Sequence, residues 1–115
     1  MKIIYPEYKP DIIIGDGILR LNYMEKTVTY NGKHIELSPK ELDLLYLLAQ
    51  KPDWIFPREV IYSAVWEGGR DDVPRQTVEN AIWKIRKKMG HDIIETVTLR
   101  GYRLGIVRRK KGENK

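Results

Sequence analysis

Between positions 76 and 87 the sequence places amide, hydroxyl, ammonium and indole groups at a spacing that brings them together on one side of a helix. We call this set the polar face, and its members are Gln76, Thr77, Asn80, Trp83, Lys84 and Lys87. Amides pair with adenine, ammonium groups bind guanine or phosphate, and hydroxyls contact either. A helix that presents these groups has the chemistry to fit a DNA major groove.

The same segment carries an apolar stripe that determines where the polar face points. Val78, Ile82, Ile85 and Met89 fall within one narrow stripe at about 100° per residue, so this side must face the core. The helix is predicted to run from about Pro74 to Met89, because Gly90 ends it. The polar face is then directed away from the core.

A basic helix surface has a simpler interpretation, in which its charges only solvate an exposed side. The residues concerned are Lys84, Arg86, Lys87 and Lys88. Trp83 argues against this interpretation, because an indole among lysines exposes a large apolar surface unless a partner covers it. The alternative is that Trp83 folds down onto the loop or a neighbouring strand.

Composition narrows the possible functions. The chain has 115 residues, the size of one domain, and a formal net charge of +5, which favours a polyanionic partner. It has no cysteine, which excludes disulfides, thiolate catalysis and cysteine-based zinc sites. Without a membrane-spanning apolar run or a secretory signal pattern, we expect a cytoplasmic protein that has no membrane partner.

The sequence offers little for catalysis. Asp71-Asp72 is the only adjacent acidic pair, and it lies on a glycine-bearing loop with no histidine nearby. His34 and His91 are expected to be exposed at a hairpin and at a helix end. Because metal and acid-base sites need converging groups, we predict that the chain is not an enzyme and binds no metal or cofactor.

The segment before the helices predicts a four-stranded antiparallel sheet. Short strand patterns run from Ile12 to Leu37, and Asn31-Gly32 between two of them favours a type I′ hairpin turn. Ser38 and Glu41 then form a capping box signal for an almost wholly apolar central helix. A second helix from Pro57 to Trp66 is expected to turn four apolar residues inward. They are Val60, Ile61, Ala64 and Val65.

The third helix is followed by a predicted β-hairpin with strands at 93–97 and 102–107. Its candidate DNA-contacting residues are Thr98, Arg100 and Arg103. Arginine on a projecting hairpin can enter a minor groove, where negative potential is focused. We therefore expect an α+β winged helix-turn-helix domain over 12–107, an N-terminal extension over 1–11 and a frayed basic tail over 108–115.

These motifs, in this order and spacing, resemble the C-terminal effector domains of the OmpR/PhoB type, the winged helices of two-component response regulators. The resemblance extends from about Ile12 to Leu104. It rests on four motifs. The first is Asn31-Gly32 followed by residues 35–42, and the second is Arg58-Glu59 with Val65-Trp66. The third runs from Thr77-Val78 to residues 85–89, and the fourth is residues 101–104. It implies the third helix in the major groove and the hairpin as a wing at the minor groove of a regulated DNA site.

The resemblance also implies roles for individual residues. The positions that face bases are Thr77, Asn80, Ala81 and Lys84, and those near phosphates are Gln76, Trp83 and Trp66. Lys87, also on the polar face, is predicted to contact phosphate. For Trp66 two interpretations stay open, an indole that donates to a phosphate and an aromatic ring that belongs to the core. In the wing turn, Thr98 and Leu99 stand where the family usually has arginine and glycine.

Further partners follow from the resemblance alone. The loop over 67–73 matches a segment that meets RNA polymerase in such proteins, and the family resemblance suggests tandem dimers on DNA. Nothing before Ile12 could hold the acidic pocket of a receiver domain, so an excised and a free-standing effector domain both stay open. The alternative function is a winged helix that docks on the transcription machinery through Trp83 and the loop.

Overall fold

The computed structural model of the chain describes residues 9–66 and 75–105. Four strands come first, then three helices, then two strands. The elements are β1 (Ile12–Ile14), β2 (Leu19–Asn22), β3 (Thr27–Tyr30), β4 (Lys33–Ile35), α1 (Pro39–Gln50), α2 (Arg58–Trp66), α3 (Arg75–Met89), β5 (Ile94–Val97) and β6 (Gly101–Leu104). This order confirms the predicted winged helix-turn-helix architecture of the α+β class.

The N-terminal sheet is antiparallel with the strand order β1-β2-β3-β4. Asn31 and Gly32 connect β3 to β4 with φ values of 56° and 81°, and Tyr30 lies opposite Lys33. Positive φ at both turn residues is the requirement of a type I′ turn, so this prediction is confirmed. The strand β4 ends at Ile35 rather than at Leu37.

The start of α1 has the predicted capping box. The Glu41 backbone N–H donates to the Ser38 hydroxyl at 3.3 Å, and the Ser38 N–H donates to the Glu41 carboxylate at 3.0 Å. Pro39 occupies the first turn, where no intrahelical donor is needed. Most of α1 is buried, which confirms it as the central helix. Its buried residues are Glu41, Leu42, Leu44, Leu45, Tyr46, Leu48 and Ala49.

The inward face of α2 differs from the prediction. Ile61 and Val65 are buried as expected, but Val60 and Ala64 are exposed, so the prediction was wrong for these two. Val60 and Ala64 are four residues apart, as are Ile61 and Val65, so each pair forms an apolar row along the helix. Local periodicity alone does not show which of the two adjacent rows faces the core. Tyr62 is buried instead, beside Ile61.

A single 3₁₀ turn over His91–Ile93 connects α3 to β5, and the sequence patterns did not predict it. The two strands β5 and β6 pair in an antiparallel hairpin that we call the wing. Phe56, in the segment between α1 and α2, forms an isolated bridge to Tyr102 with N–H to oxygen distances of 2.8 and 3.0 Å. This bridge, also unpredicted, attaches the wing to the helices.

Several predicted segments lie outside the described residues. They are most of the N-terminal extension, the loop over 67–73, the end of the last predicted strand and the basic tail. Within residues 9–66 and 75–105, none of the helices combines the length and the apolar character that crossing a membrane requires.

Candidate functional site

The two sides of α3 differ as the sequence predicts. Val78, Ile82, Ile85 and Met89 are all buried and belong to the hydrophobic core. Because α3 packs against both α1 and α2 along this stripe, the rotation of the helix about its axis is determined by the core. The apolar stripe prediction is confirmed.

The polar face of α3 points outward. Gln76, Asn80, Trp83, Lys84 and Lys87 are exposed, whereas Thr77 is half-buried. The Trp83 indole remains 58% exposed, and the Lys87 ammonium lies 4.8 Å from the centroid of its ring. This cation-π contact holds an aromatic plane and a positive charge together at the surface. The ring is therefore not folded down onto a neighbouring strand, and the loop over 67–73, the other surface named in the alternative prediction, lies outside the described residues.

Ala81 occupies a different environment from the rest of the predicted base-facing set. It is only 7% exposed and belongs to the core cluster. Its position lies one residue before Ile82, at the edge of the apolar stripe, so its methyl group packs inward. The side chain therefore has little surface to offer a base, and a base contact by Ala81 stays a prediction.

Arg86 links α3 to the wing. Its guanidinium donates to the Ile94 carbonyl from Nε at 3.2 Å and from Nη2 at 2.5 Å, and Nη2 also donates to the Thr96 hydroxyl at 3.0 Å. Burial lowers the pKa of Arg86, and the interaction with Tyr102 opposes that shift. Arg86 thus connects α3 to β5. The simpler interpretation, in which its charge only solvates an exposed side of the helix, does not describe this residue.

Lys88 links α3 to the start of α1. Its ammonium donates to Glu41 Oε1 at 2.7 Å, the same oxygen that accepts the Ser38 N–H. Glu41 is only 5% exposed, so this is a largely buried carboxylate with its own cation and a backbone donor. The sequence showed the capping box but gave no sign that Lys88 would complete it.

The charge state of Glu41 should make stability pH-dependent. Burial raises the pKa of Glu41, but hydrogen bonds from Lys88 and Ser38 and the charge of Lys88 outweigh it and lower the pKa below the ordinary 4.5. A carboxyl whose folded pKa is lowered stabilises the fold above its unfolded pKa, and this stabilisation is lost as the pH falls through the folded value. We expect thermal stability to decline below about pH 4.5.

The variant Glu41→Gln isolates this contribution. It should lower the free energy of unfolding at pH 7 by about 1 kcal/mol, because the charge-assisted bond to Lys88 becomes a neutral one. The measurement is thermal unfolding from pH 7 to pH 3 for both proteins. The difference between them should shrink as the pH falls below 4.5. A difference that stays constant over this range would contradict the assignment.

In the wing, the three predicted residues are not equivalent. Thr98 and Arg100 are exposed at the turn, where the Arg100 N–H donates to the Val97 carbonyl at 2.9 Å. Arg103 lies on β6 opposite Glu95, and its Nε and Nη2 reach the two carboxylate oxygens at 3.1 and 3.3 Å. Arg103 is therefore already paired across the hairpin, while Arg100 projects from its tip.

An open groove of about 360 Å³ separates the wing from the helices. Residues on its walls include Arg58, Glu79, Thr96, Leu99 and Arg100. Among the described residues, none accepts a hydrogen bond from the buried Nε atom of Arg58. The groove brings the start of α2, the first turns of α3 and the wing tip to one side of the domain.

Trp66 is the last residue of α2. Its ring stacks on Tyr62 with centroids 5.6 Å apart and planes inclined by 13°, and it packs partly buried against the core. This arrangement favours the core interpretation of Trp66. A contact between its indole N–H and a phosphate stays a prediction.

The groups that α3 and the wing expose are suited to binding. Over residues 9–66 and 75–105, no three histidine, aspartate or glutamate side chains gather closely enough to hold a metal ion. What α3 and the wing present are amide, ammonium, guanidinium and aromatic groups on one exposed surface. Such groups recognise phosphates and base edges.

Comparison with known proteins gives a consistent result. Residues 32–104 match the family model described as "Transcriptional regulatory protein, C terminal", which covers more than half of the chain. The chain is 39% identical over 83 residues to the DNA-binding response regulator MtrA of Mycobacterium leprae, covering 68% of this chain and 36% of that protein. It is 36% identical over 104 residues to the response regulator ArlR of Staphylococcus aureus, covering 87% of this chain and 47% of that protein. The chain thus spans less than half the length of these relatives.

Solved structures show the same similarity. The DNA-binding domain of CpxR from E. coli superimposes with a TM-score of 0.70 at 28% identity, covering 84% of this chain and 96% of that one. The DNA-binding domain of Klebsiella pneumoniae RstA, solved in complex with the RstA box, gives a TM-score of 0.73 at 25% identity, with 84% and 98% covered. Both matches extend over almost the whole of the solved domain.

Proposed function

Because the chain belongs to the family of transcriptional regulatory protein C-terminal domains, the winged-helix effector domains of the OmpR/PhoB type, we propose that it binds specific double-stranded DNA sites and thereby regulates transcription. In this proposal α3 enters the major groove and the wing lies at the minor groove. RstA, one of the structural neighbours, was solved on its DNA box. That finding supports the same kind of ligand for this chain.

The observation that carries the proposal is the orientation of α3. Its apolar stripe is buried in the core, so the polar face can only be presented outward. Asn80 and Lys84 are one helical turn apart on that face, a spacing that suits contacts with neighbouring base pairs. Thr77 lies at its edge. We assign these three residues to base contacts.

Phosphate contacts are proposed around that centre. Gln76, Trp83 and Lys87 lie on the polar face and Trp66 at the end of α2, and the cation-π pair of Trp83 and Lys87 joins a charge to an indole donor. In the wing, Arg100 has the exposed position that minor-groove entry needs. Arg103, which is paired with Glu95, is assigned a supporting role in the hairpin.

Other partners belong to the same proposal. Tandem dimers on repeated half-sites and a contact of loop 67–73 with RNA polymerase follow from family membership, as does a cytoplasmic location. The competing function is docking of a protein through Trp83 and the loop. It would also use the exposed indole, but it does not require the amide and ammonium groups beside it.

Selection of bound duplexes from a random DNA pool tests the proposal directly. We expect enrichment of one consensus sequence, with a repeated half-site if two copies bind in tandem. A pool that remains random after several rounds at low salt would refute sequence-specific binding. An enriched consensus also supplies the duplex that the following variants need.

Two classes of variant separate base contacts from phosphate contacts. Asn80→Ala and Lys84→Ala should each weaken binding to the selected site by about 1 to 3 kcal/mol and relax the preference at one position. Lys87→Ala should weaken binding to selected and unrelated duplexes alike, because phosphates carry no sequence information. Titrations of the three variants on both duplexes measure these effects.

Glu25→Ala provides a control outside α3 and the wing, since Glu25 is exposed in the turn between β2 and β3. Its sequence preference should equal that of the unchanged protein. If Asn80→Ala and Lys84→Ala also leave the preference intact, the assignment of base contacts to the polar face is wrong.

A further inference from the structure

Leu99 combines two features that are unfavourable for an isolated domain. Its side chain is 100% exposed, and its backbone has a φ of 63°. Left-handed backbone is disfavoured for residues with a Cβ atom, which approaches the following carbonyl oxygen. The other described non-glycine residues with positive φ are Asp16, Lys26 and Asn31, and all three are polar. Among residues 9–66 and 75–105, Leu99 is thus the only apolar side chain in this conformation.

The fold does not use the Leu99 side chain. The wing turn is closed by the backbone bond from Arg100 N–H to the Val97 carbonyl, and the wing is attached through the bridge between Tyr102 and Phe56. Leu99 is absent from the hydrophobic core cluster. Glycine would adopt the turn with less strain and expose no apolar surface. Packing among the described residues therefore gives no reason for a leucine at this position.

The surroundings of Leu99 indicate what it meets. It borders the open groove, whose charged lining residues are Arg58 and Arg100 and also Glu59 and Glu79. The two glutamates lie on the helices, whereas the exposed wing turn itself presents one aliphatic group, Leu99, directly before one cation, Arg100. A matching surface is anionic at its rim and apolar within. The DNA minor groove has this character, because phosphates line its edges and sugar carbon atoms form its walls. Proteins that bind there place arginine beside apolar side chains, leucine included.

We infer that Leu99 is a minor-groove contact of the wing and that it selects against guanine beneath it. This inference rests on the proposed DNA binding. Guanine places its N2 amino group on the floor of the minor groove, whereas A·T pairs show only acceptors there. A leucine side chain cannot accept a hydrogen bond from that amino group, so its burial against guanine is unfavourable. The wing thus contributes to specificity as well as to affinity.

Leu99→Gly tests the contact, because it should weaken DNA binding without lowering thermal stability. Binding to the selected duplex should weaken about tenfold, as expected from removal of several buried carbon atoms. The thermal midpoint should stay the same or rise by about 2 to 4 °C, since glycine relieves the left-handed strain. A second variant, Leu99→Asn, also tolerates this backbone and removes the apolar group, so it should weaken binding similarly.

Asn31→Gly is the matched control. Asn31 is exposed, uncharged and has a φ of 56°, but it lies in the turn of the N-terminal sheet. This variant should leave DNA affinity unchanged. Equal affinity of Leu99→Gly and the unchanged protein would overturn the inference, as would a fall in the thermal midpoint, which would make Leu99 a structural residue.

A base-analogue scan tests the specificity. Each A·T pair of the selected site is replaced in turn by G·C and by inosine·C, which lacks the N2 amino group but keeps the major-groove edge of guanine. Beneath the wing, G·C should weaken binding of the unchanged protein about fivefold and inosine·C should restore it, whereas Leu99→Gly should not distinguish the two. The same penalty in both proteins would overturn the inference. Absence of any DNA binding by the unchanged protein would instead refute the proposed function.

Discussion

Affinity for DNA is expected to fall by roughly 10² to 10⁵ when the salt concentration rises from about 50 to about 200 mM. This corresponds to a slope of about −4 to −8 in a plot of log affinity against log salt concentration. The reason is that each phosphate neutralised by a lysine or arginine of the protein releases condensed counterions. Equilibrium titrations at four or more salt concentrations measure the slope.

Lys87→Ala is the informative companion to this measurement. The loss of one phosphate contact should reduce the magnitude of the slope by about 1. Glu25→Ala, in the turn between β2 and β3, should leave the slope unchanged. A dependence on salt close to zero for the unchanged protein would favour the competing function, in which the exposed indole of Trp83 docks on a protein.

Gly101→Ala is expected to lower the free energy of unfolding by about 3 kcal/mol or more. The backbone at Gly101 has a φ of 140°, a conformation that residues with a side chain rarely adopt. A Cβ atom placed there would lie 2.1 Å from the Phe56 carbonyl oxygen and 2.9 Å from Pro57 Cα. Because these are backbone atoms, no side-chain rotation relieves the overlap. The wing would have to separate from the segment before α2.

Gly32→Ala serves as the control for strain without overlap. Gly32 has a φ of 81°, but a Cβ atom added there meets nothing within 4 Å. Its variant should lose about 1 kcal/mol, which is the cost of left-handed backbone alone. Thermal and denaturant unfolding of both variants give the comparison. If Gly101→Ala is no less stable than Gly32→Ala, the close approach of the wing to Phe56 is not a constraint on the fold.

Wing attachment also connects stability to binding. The bridge to Phe56 and the bonds from Arg86 to Ile94 and Thr96 hold the wing from two sides. Gly101→Ala disturbs the first of these. DNA affinity of this variant should therefore fall at temperatures where α3 is still folded, because Arg100 and Leu99 lose their position relative to the polar face.

Local sequence was sufficient for the features that depend on neighbouring residues. The type I′ turn at Asn31-Gly32 follows from which residues tolerate positive φ, and the capping box follows from a serine and a glutamate three positions apart. The two sides of α3 follow from helical periodicity, which placed Val78, Ile82, Ile85 and Met89 inward before any tertiary contact was known. These are short-range regularities, and they were enough to orient the candidate DNA-binding surface.

Only the tertiary structure decided which charged side chains are paired and which apolar side chains are buried. Lys88 and Arg86 have the same local appearance as Lys84 and Lys87, yet Lys88 meets Glu41, 47 residues away, and Arg86 meets β5. Likewise Val60 and Ile61 are equally apolar neighbours, and packing against other elements buries only one of them. Such outcomes depend on surfaces brought together from distant parts of the chain, about which helical periodicity and residue type carry no information.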